Sequence, residues 1–265
     1  MEHIWLLVII GFLIGTLGTM LGIGGGFILM PLLAYLYPDW PPEQLTSISL
    51  AVIFLNSMSG SIAYAKKKRI HYRSGVLFLL AAIPGTIAGA NLTALISRAA
   101  FDPIFGLFLL IFSSFLLKKS LFRNPATRTP EPQPVEKPRH LNITYNMPMG
   151  LLISMIVGLI SSIFGIGGGI VHVPAMVHFL QFPVHVATAT SHLILAGMSF
   201  AATLVHIARG DLDHTYKIVL LLAPSVILGA QIGARMSHRV NGTWIMRILS
   251  VLLAFLGLRL LLSSG

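Results

Sequence analysis

Cysteine is absent from the 265 residues, which excludes disulfides, thiol catalysis and thiolate metal sites. Charge is scarce too. Asp, Glu, Lys and Arg make up 10% of the chain, against about a quarter in ordinary soluble domains. Acids are the rarest. There are eight (Glu2, Asp39, Glu43, Asp102, Glu131, Glu136, Asp211 and Asp213), and each reads as lying at the N-terminus or between apolar runs. No Gly-Lys-Ser/Thr is present, so there is no P-loop. No complete Gly-x-Gly-x-x-Gly stands in a strand–helix setting either, which excludes a dinucleotide fold.

What fills the chain is apolar. Hydrophobic residues make up 55% of it, in runs of roughly 20 residues, long enough to cross a bilayer. The net charge of +10 comes largely from two clusters, Lys66, Lys67, Lys68, Arg69 and Arg73, and a second from Lys118 to Arg139. Both adjoin apolar spans, where basic residues mark the cytoplasmic side, so they point to a lipid bilayer and not to nucleic acid. From Ile4 the chain starts apolar with no basic region or small-residue cleavage site, and it reads as a first span.

An internal repeat decides the architecture. Leu21-Gly22-Ile23-Gly24-Gly25-Gly26, with Pro31 five residues on, matches Phe164-Gly165-Ile166-Gly167-Gly168-Gly169, with Pro174 five residues on, at an offset of 143. Ser49 then matches Ser191 at 142, and Pro84 with Gly89-Ala90 matches Pro224 with Gly229-Ala230 at 140. The reading is an all-α polytopic membrane protein of two five-element halves, 1–118 and 147–265. A proline-rich cytoplasmic linker, 119–146, joins them. The expected elements are roughly 4–21, 26–37, 45–65, 74–97 and 103–118, then 148–164, 169–181, 184–208, 215–237 and 243–263, giving about 8–10 membrane helices. The second element of each half is short and begins at the glycines, as a broken or re-entrant helix would.

Charge places the 66–73 loop, the linker, Arg235 and Arg239 inside, and the loops 38–43, 97–102 and 209–214 outside. Five elements per half then make the second half an inverted copy of the first, with both termini outside. Such a plan suits a multi-pass protein of a bacterial or archaeal plasma membrane.

Consecutive glycines at membrane depth must be buried in protein or line a cavity. The helix start behind each turn leaves amides without intrahelical partners at the positive end of the dipole, which suits an anion. Candidate ligands are therefore Gly22, Gly24, Gly25 and Gly26 with Gly165, Gly167, Gly168 and Gly169. Gly11, Gly15, Gly85 and Gly229 fit the small-xxx-small spacing of close helix packing instead. The third elements are polar, and from them Ser49, Asn56, Thr190 and Ser191 join the candidate site. Asn56 stands out because a helix cannot satisfy a buried amide locally. His172 follows the second turn by three residues and His192 directly follows Ser191, so both are candidate ligands. His178, His185 and His214 read as interfacial, and Arg247 and Arg259 as snorkelling side chains. With no carboxylate expected inside the spans, proton coupling would run through histidine, backbone carbonyls or the anion itself.

The paired Gly-Ile-Gly-Gly-Gly turns with Pro31 and Pro174, and the Ala187-Thr188-Ala189-Thr190-Ser191 stretch, resemble the signature of the sulfite exporter TauE/SafE family. The resemblance covers nearly the whole chain outside the linker. It implies a secondary transporter of sulfite, thiosulfate, sulfoacetate or related organosulfonates, with no cofactor and no catalysis. The reading admits a homo-oligomer. An anion channel using the same turns as a filter is the alternative. A hydrolase is disfavoured because adjacent Ser191 and His192 point about 100° apart on a helix. Metal transport through His172, His178, His185 and His192 lacks the carboxylates that divalent cations favour.

Overall fold

The computed structural model describes residues 4–121, 145–213, 215–237 and 242–263. Most of the 119–146 linker, His214, Arg239 and the Arg247 side chain lie outside the described residues. All regular structure among the described residues is helical. The order is α1 (Ile4–Leu21), α2 (Gly26–Leu36), α3 (Pro42–Lys66), α4 (Tyr72–Thr93), α5 (Arg98–Leu121), α6 (Met147–Phe164), α7 (Gly169–His178), α8 (Val184–Ala208), α9 (Tyr216–Met236) and α10 (Gly242–Ser263). Six of these, α3, α4, α5, α6, α8 and α9, are long and apolar enough to cross a membrane. Large apolar side chains such as Leu80 on α4, Leu220 on α9 and Phe255 on α10 stand exposed, as lipid-facing helices require.

Local chemistry sets the boundaries. Pro42 occupies the first turn of α3, where its missing N–H costs nothing. The Asn146 side chain accepts the Met149 amide and opens α6. Left-handed glycines end the first helix of each half, Gly22 at φ +80° and Gly165 at φ +60°. One boundary departs from expectation. α5 begins at Arg98, five residues before the apolar run, because Arg98 pairs with Asp102 and also donates to the Ala34 and Trp40 carbonyls. Asp102 is therefore inside a helix. Glu43 likewise lies in the first turn of α3, so the expectation that acids lie only between the apolar runs is corrected at both positions.

The pairing of the helices is regular. α1 packs on α9 and α4 on α6, α3 on α8, and α5 on α10. Each of the first two pairs runs parallel. Gly11 meets Leu222 and Ser225 while Gly229 meets Phe12 and Thr16; Gly85 meets Met155 while Gly89 meets Leu159 and Ser162. A methyl group on Gly11, Gly15, Gly85 or Gly229 would collide with the facing helix, so these four glycines serve packing as expected. The other two pairs run antiparallel. Gly60 meets His192 while Phe54 meets Phe200, and Ser113 donates to the Ser250 carbonyl while Gly106 meets Gly257. α3 is the most buried long helix, and α8 follows it. These two form the centre, and the rest wall them off from lipid.

Hydrogen bonds join the loops into two groups. Lys67 Nζ donates to the Ala234 carbonyl at 2.6 Å, bringing the 66–73 loop beside Arg235. Burial and the nearby Arg69 and Arg235 lower the Lys67 pKa. In the other group, Arg98 ties 97–102 to Trp40, and Arg209 reaches the Ala90 and Asn91 carbonyls.

His71 caps α4 by accepting the Ser74 amide on Nδ1, a role that needs neutral imidazole. Burial and the nearby Arg73 lower its pKa below 6.5. As pH falls below about 6.5, the unfolded chain takes the proton first, so this contribution to stability is lost toward acid. Replacing His71 with Asn, a good capping residue, should flatten the acid side of a thermal-unfolding profile recorded from pH 7.5 to 5. An unchanged slope would contradict the capping role.

Candidate functional site

The two glycine turns meet. The backbone of Gly169 lies against Gly22 and Ile23, and that of Gly26 against Ile166. Each turn is braced by the third helix of the other half. Thr46 packs on Gly165, and Ser49 Oγ on the same α3 face donates to the Gly165 carbonyl at 2.5 Å. Reciprocally, the Thr188 methyl of α8 packs on Gly22. This crossed bracing brings two broken helices, 143 residues apart in sequence, to one place.

At that place, Gly24 and Gly167 both face Ile53 of α3 and Leu195 of α8. The left-handed torsions at Gly24, Gly25 and Gly167 (φ +84°, +83° and +71°) turn the chain sharply before α2 and α7 begin. The amides of Gly25, Gly26 and Phe27, and those of Gly168, Gly169 and Ile170, have no backbone acceptor among the described residues. Two helix starts whose first amides have no backbone acceptor thus lie close together, an arrangement that suits an anion.

Polar side chains flank this centre on α3 and α8. Thr19 Oγ1 donates to Asn56 Oδ1 at 3.1 Å, which leaves the Asn56 Nδ2 donors buried and without a partner. Ser57 Oγ, beside Gly24, and Ser61 Oγ are likewise buried and unpartnered. Tyr64 donates to the Thr19 carbonyl at 2.9 Å and meets the His192 ring edge-on at 5.4 Å. The His192 ring interacts with the Thr188 carbonyl one turn back, and its Nε2, facing Gly60, finds no partner among the described residues. Ser191 Oγ is buried and free as well. Buried donors left unpaired cost about 1–3 kcal/mol each, so a cluster of them calls for a ligand.

Two candidates stand apart from the cluster. Thr190 Oγ1 accepts the His71 amide at 3.0 Å, at the start of α4. His172 Nε2 lies 3.0 Å from Ser154 Oγ of α6 and its ring stacks on Phe78, inside a separate apolar cluster. The sequence reading missed Thr19 and Tyr64 as neighbours of the site. Neither carries a repeat or glycine signal: Tyr64 adjoins the lysine cluster, and Thr19 precedes the first turn. His178 and His185 are exposed. Arg259 lies 3.6 Å over the Tyr35 ring. Ser59 donates to the Ile227 carbonyl and receives Gln231, while His206 pairs with Asp211, so these two do not form a serine–histidine pair. No group of three or more metal-ligating side chains is found among the described residues.

A family model described as Sulfite exporter TauE/SafE matches residues 7–260. The chain belongs to the sulfite exporter TauE/SafE family. Among its relatives, this TauE/SafE protein is 31% identical to the probable membrane transporter protein YunE of Bacillus subtilis, over 97% of this chain and 96% of that one. It is 26% identical to a probable membrane transporter protein of Methanocaldococcus jannaschii, over 97% of this chain and 95% of that one. A similarly named protein of Xylella fastidiosa is 27% identical over 89% of this chain and 84% of its own. No solved structure matches the chain. The glycine turns and the α3–α8 centre fall within the family match.

Proposed function

We propose that this TauE/SafE protein is a secondary transporter of small sulfur-containing anions, such as sulfite, thiosulfate, sulfoacetate or related organosulfonates. The meeting of two free helix starts at an uncharged centre carries this reading. The substrate sits between Gly24–Phe27 and Gly167–Ile170, with Asn56 Nδ2, Ser57, Ser191 and His192 Nε2 supplying further donors. Each hydrogen bond to an anion contributes about 1.5–3 kcal/mol net, so four to six offset much of the desolvation cost. Neutral donors hold an anion without trapping it, as release requires.

Halves 1–118 and 147–265 act as inverted copies. The antiparallel α3–α8 and α5–α10 pairs, with the parallel α1–α9 and α4–α6 pairs, support an in-plane pseudo-twofold axis. In the present conformation Ile53 and Leu195 fill the space between the turns. Alternating access is then a rocking of α3 against α8 that withdraws these side chains toward one face or the other. The 66–73 face, with the linker, is cytoplasmic, and the termini are outside. No catalysis enters this cycle.

Counterflow in proteoliposomes tests the reading. Preloaded thiosulfate, sulfite or sulfoacetate should drive saturable uptake of the labelled anion. Unitary currents in a planar bilayer, with no counterflow, would contradict the carrier mechanism.

A further inference from the structure

α8 carries a second buried histidine beyond the site. His206 follows His192 by fourteen residues, about 21 Å along the helix and within about 40° of the same face. Its side chain is fully buried, and Nδ1 lies 2.7 Å from Asp211 Oδ2. Nε2 is buried with no partner among the described residues. Asp211 sits in the loop after α8 but turns inward. Its amide donates to the His206 carbonyl, its own carbonyl lies 3.4 Å from Ser47 Oγ of α3, and its side chain keeps 10% exposure. The loop thus carries a carboxylate inward, against the buried end of α8.

We propose that the His206–Asp211 pair is the proton-binding site that couples anion movement to one proton, an assignment resting on the transport reading above. With imidazole neutral and carboxylate charged, the pair holds one net negative charge. A proton from water at the loop face adds to the imidazole, giving an imidazolium–carboxylate pair with no net charge. Its release to water on the other face restores the starting state, and no other bond is made or broken. With Arg209 Nε 3.5 Å from the carboxylate, neutral imidazole leaves Arg209, Asp211 and His206 without net charge, and the proton adds a positive charge that favours an anion in the centre along the same helix. Closure over a loaded transporter therefore needs the proton, and proton and anion move in the same direction.

The surroundings of the pair suit this role. Arg209 Nε, part-exposed, pairs with the Asp211 carboxylate at 3.5 Å. The loop also carries Asp213, beside Gly210. The first turn of α3 carries Glu43, α9 opens with Tyr216 and Lys217, and α4 contributes uncharged Ala90 and Asn91.

Thiosulfate is the probe of choice, because its own protonation lies far below neutral pH. A thiosulfate gradient across proteoliposomes holding a trapped pH dye should move protons with the anion in the wild type. H206Q and D211N should each lose that proton movement and the pH dependence of net flux, while labelled thiosulfate counterflow continues. Two variants guard against one failing to fold, and a thermal-unfolding midpoint is read for both. Proton movement at the wild-type ratio in either folded variant would overturn the assignment and leave the pair a clamp on the loop. Absent counterflow in the wild type would overturn the transport reading itself, and this assignment with it.

Discussion

Replacing Asn56 with Leu should abolish anion transport while leaving the fold intact. The side chains are close in size, so the buried space on α3 stays filled. The substitution removes the Thr19–Asn56 hydrogen bond, about 0.5–1.5 kcal/mol. It also removes the unpartnered Nδ2, whose burial costs about 1–3 kcal/mol. Thr19 Oγ1, left without that acceptor, turns back to a carbonyl of its own helix, so the balance is near neutral and the thermal midpoint in detergent should stay about level. A bound anion, by contrast, loses a charge-assisted hydrogen bond, which weakens binding by roughly 10–150-fold. Unchanged stability with lost counterflow identifies a functional polar group. Wild-type counterflow in Asn56→Leu would remove Asn56 from the site.

The glycine turns should respond to alanine in a fixed order: Gly167 mildly, Gly24 more, Gly169 most. At Gly167 a methyl group meets only the tips of Ile53 and Leu195, at 3.2–3.3 Å. What remains is its φ of +71°, worth about 1–2 kcal/mol for an L side chain. At Gly24 the torsion cost recurs, and the methyl also presses on Leu195 Cδ2 at 2.5 Å. Truncating Leu195 to Ala should relieve that second part. Gly169 has no torsion problem, yet its methyl strikes the backbone of Gly22 and Ile23 in the opposite turn. No side-chain truncation relieves a backbone collision, so Gly169→Ala forces the two turns apart. Overpacking alone costs about 1–3 kcal/mol, and displaced turns should cost more. Thermal midpoints of the three variants, and of Gly24→Ala with Leu195→Ala, check the order. A Gly169→Ala protein as stable as Gly167→Ala would mean that the turns do not touch.

Much of this architecture was legible in the sequence, because apolar run length and glycine placement are local signals. The span 184–208 coincides with α8, and most other boundaries fall within a few residues. α5 was the exception, since Arg98 extends it by bonds to Asp102, Ala34 and Trp40 that no hydropathy window contains. The duplicated Gly-Ile-Gly-Gly-Gly turn pointed to the centre for the same local reason. What could not be read were the crossed contacts. Ser49 reaches Gly165 across 116 residues, and Asn56 is oriented by Thr19 from another helix. Equivalent sequence positions also diverge in use. Ser49 is bonded while its counterpart Ser191 is free, and Thr190, identical in type to good ligands, instead holds the start of α4. Asp211 reads in the sequence as part of the outside loop 209–214. Only the fold turns that loop inward.

The central claim is that an anion binds between the two glycine turns. The most direct test is a structure of the purified protein with bound thiosulfate. Density is expected between the amides of Gly26 and Phe27 and those of Gly169 and Ile170, within hydrogen-bond distance of Asn56 Nδ2, with Ile53 and Leu195 displaced. Thiosulfate bound elsewhere, with the turns still closed on Ile53 and Leu195, would contradict it and return the glycines to packing alone.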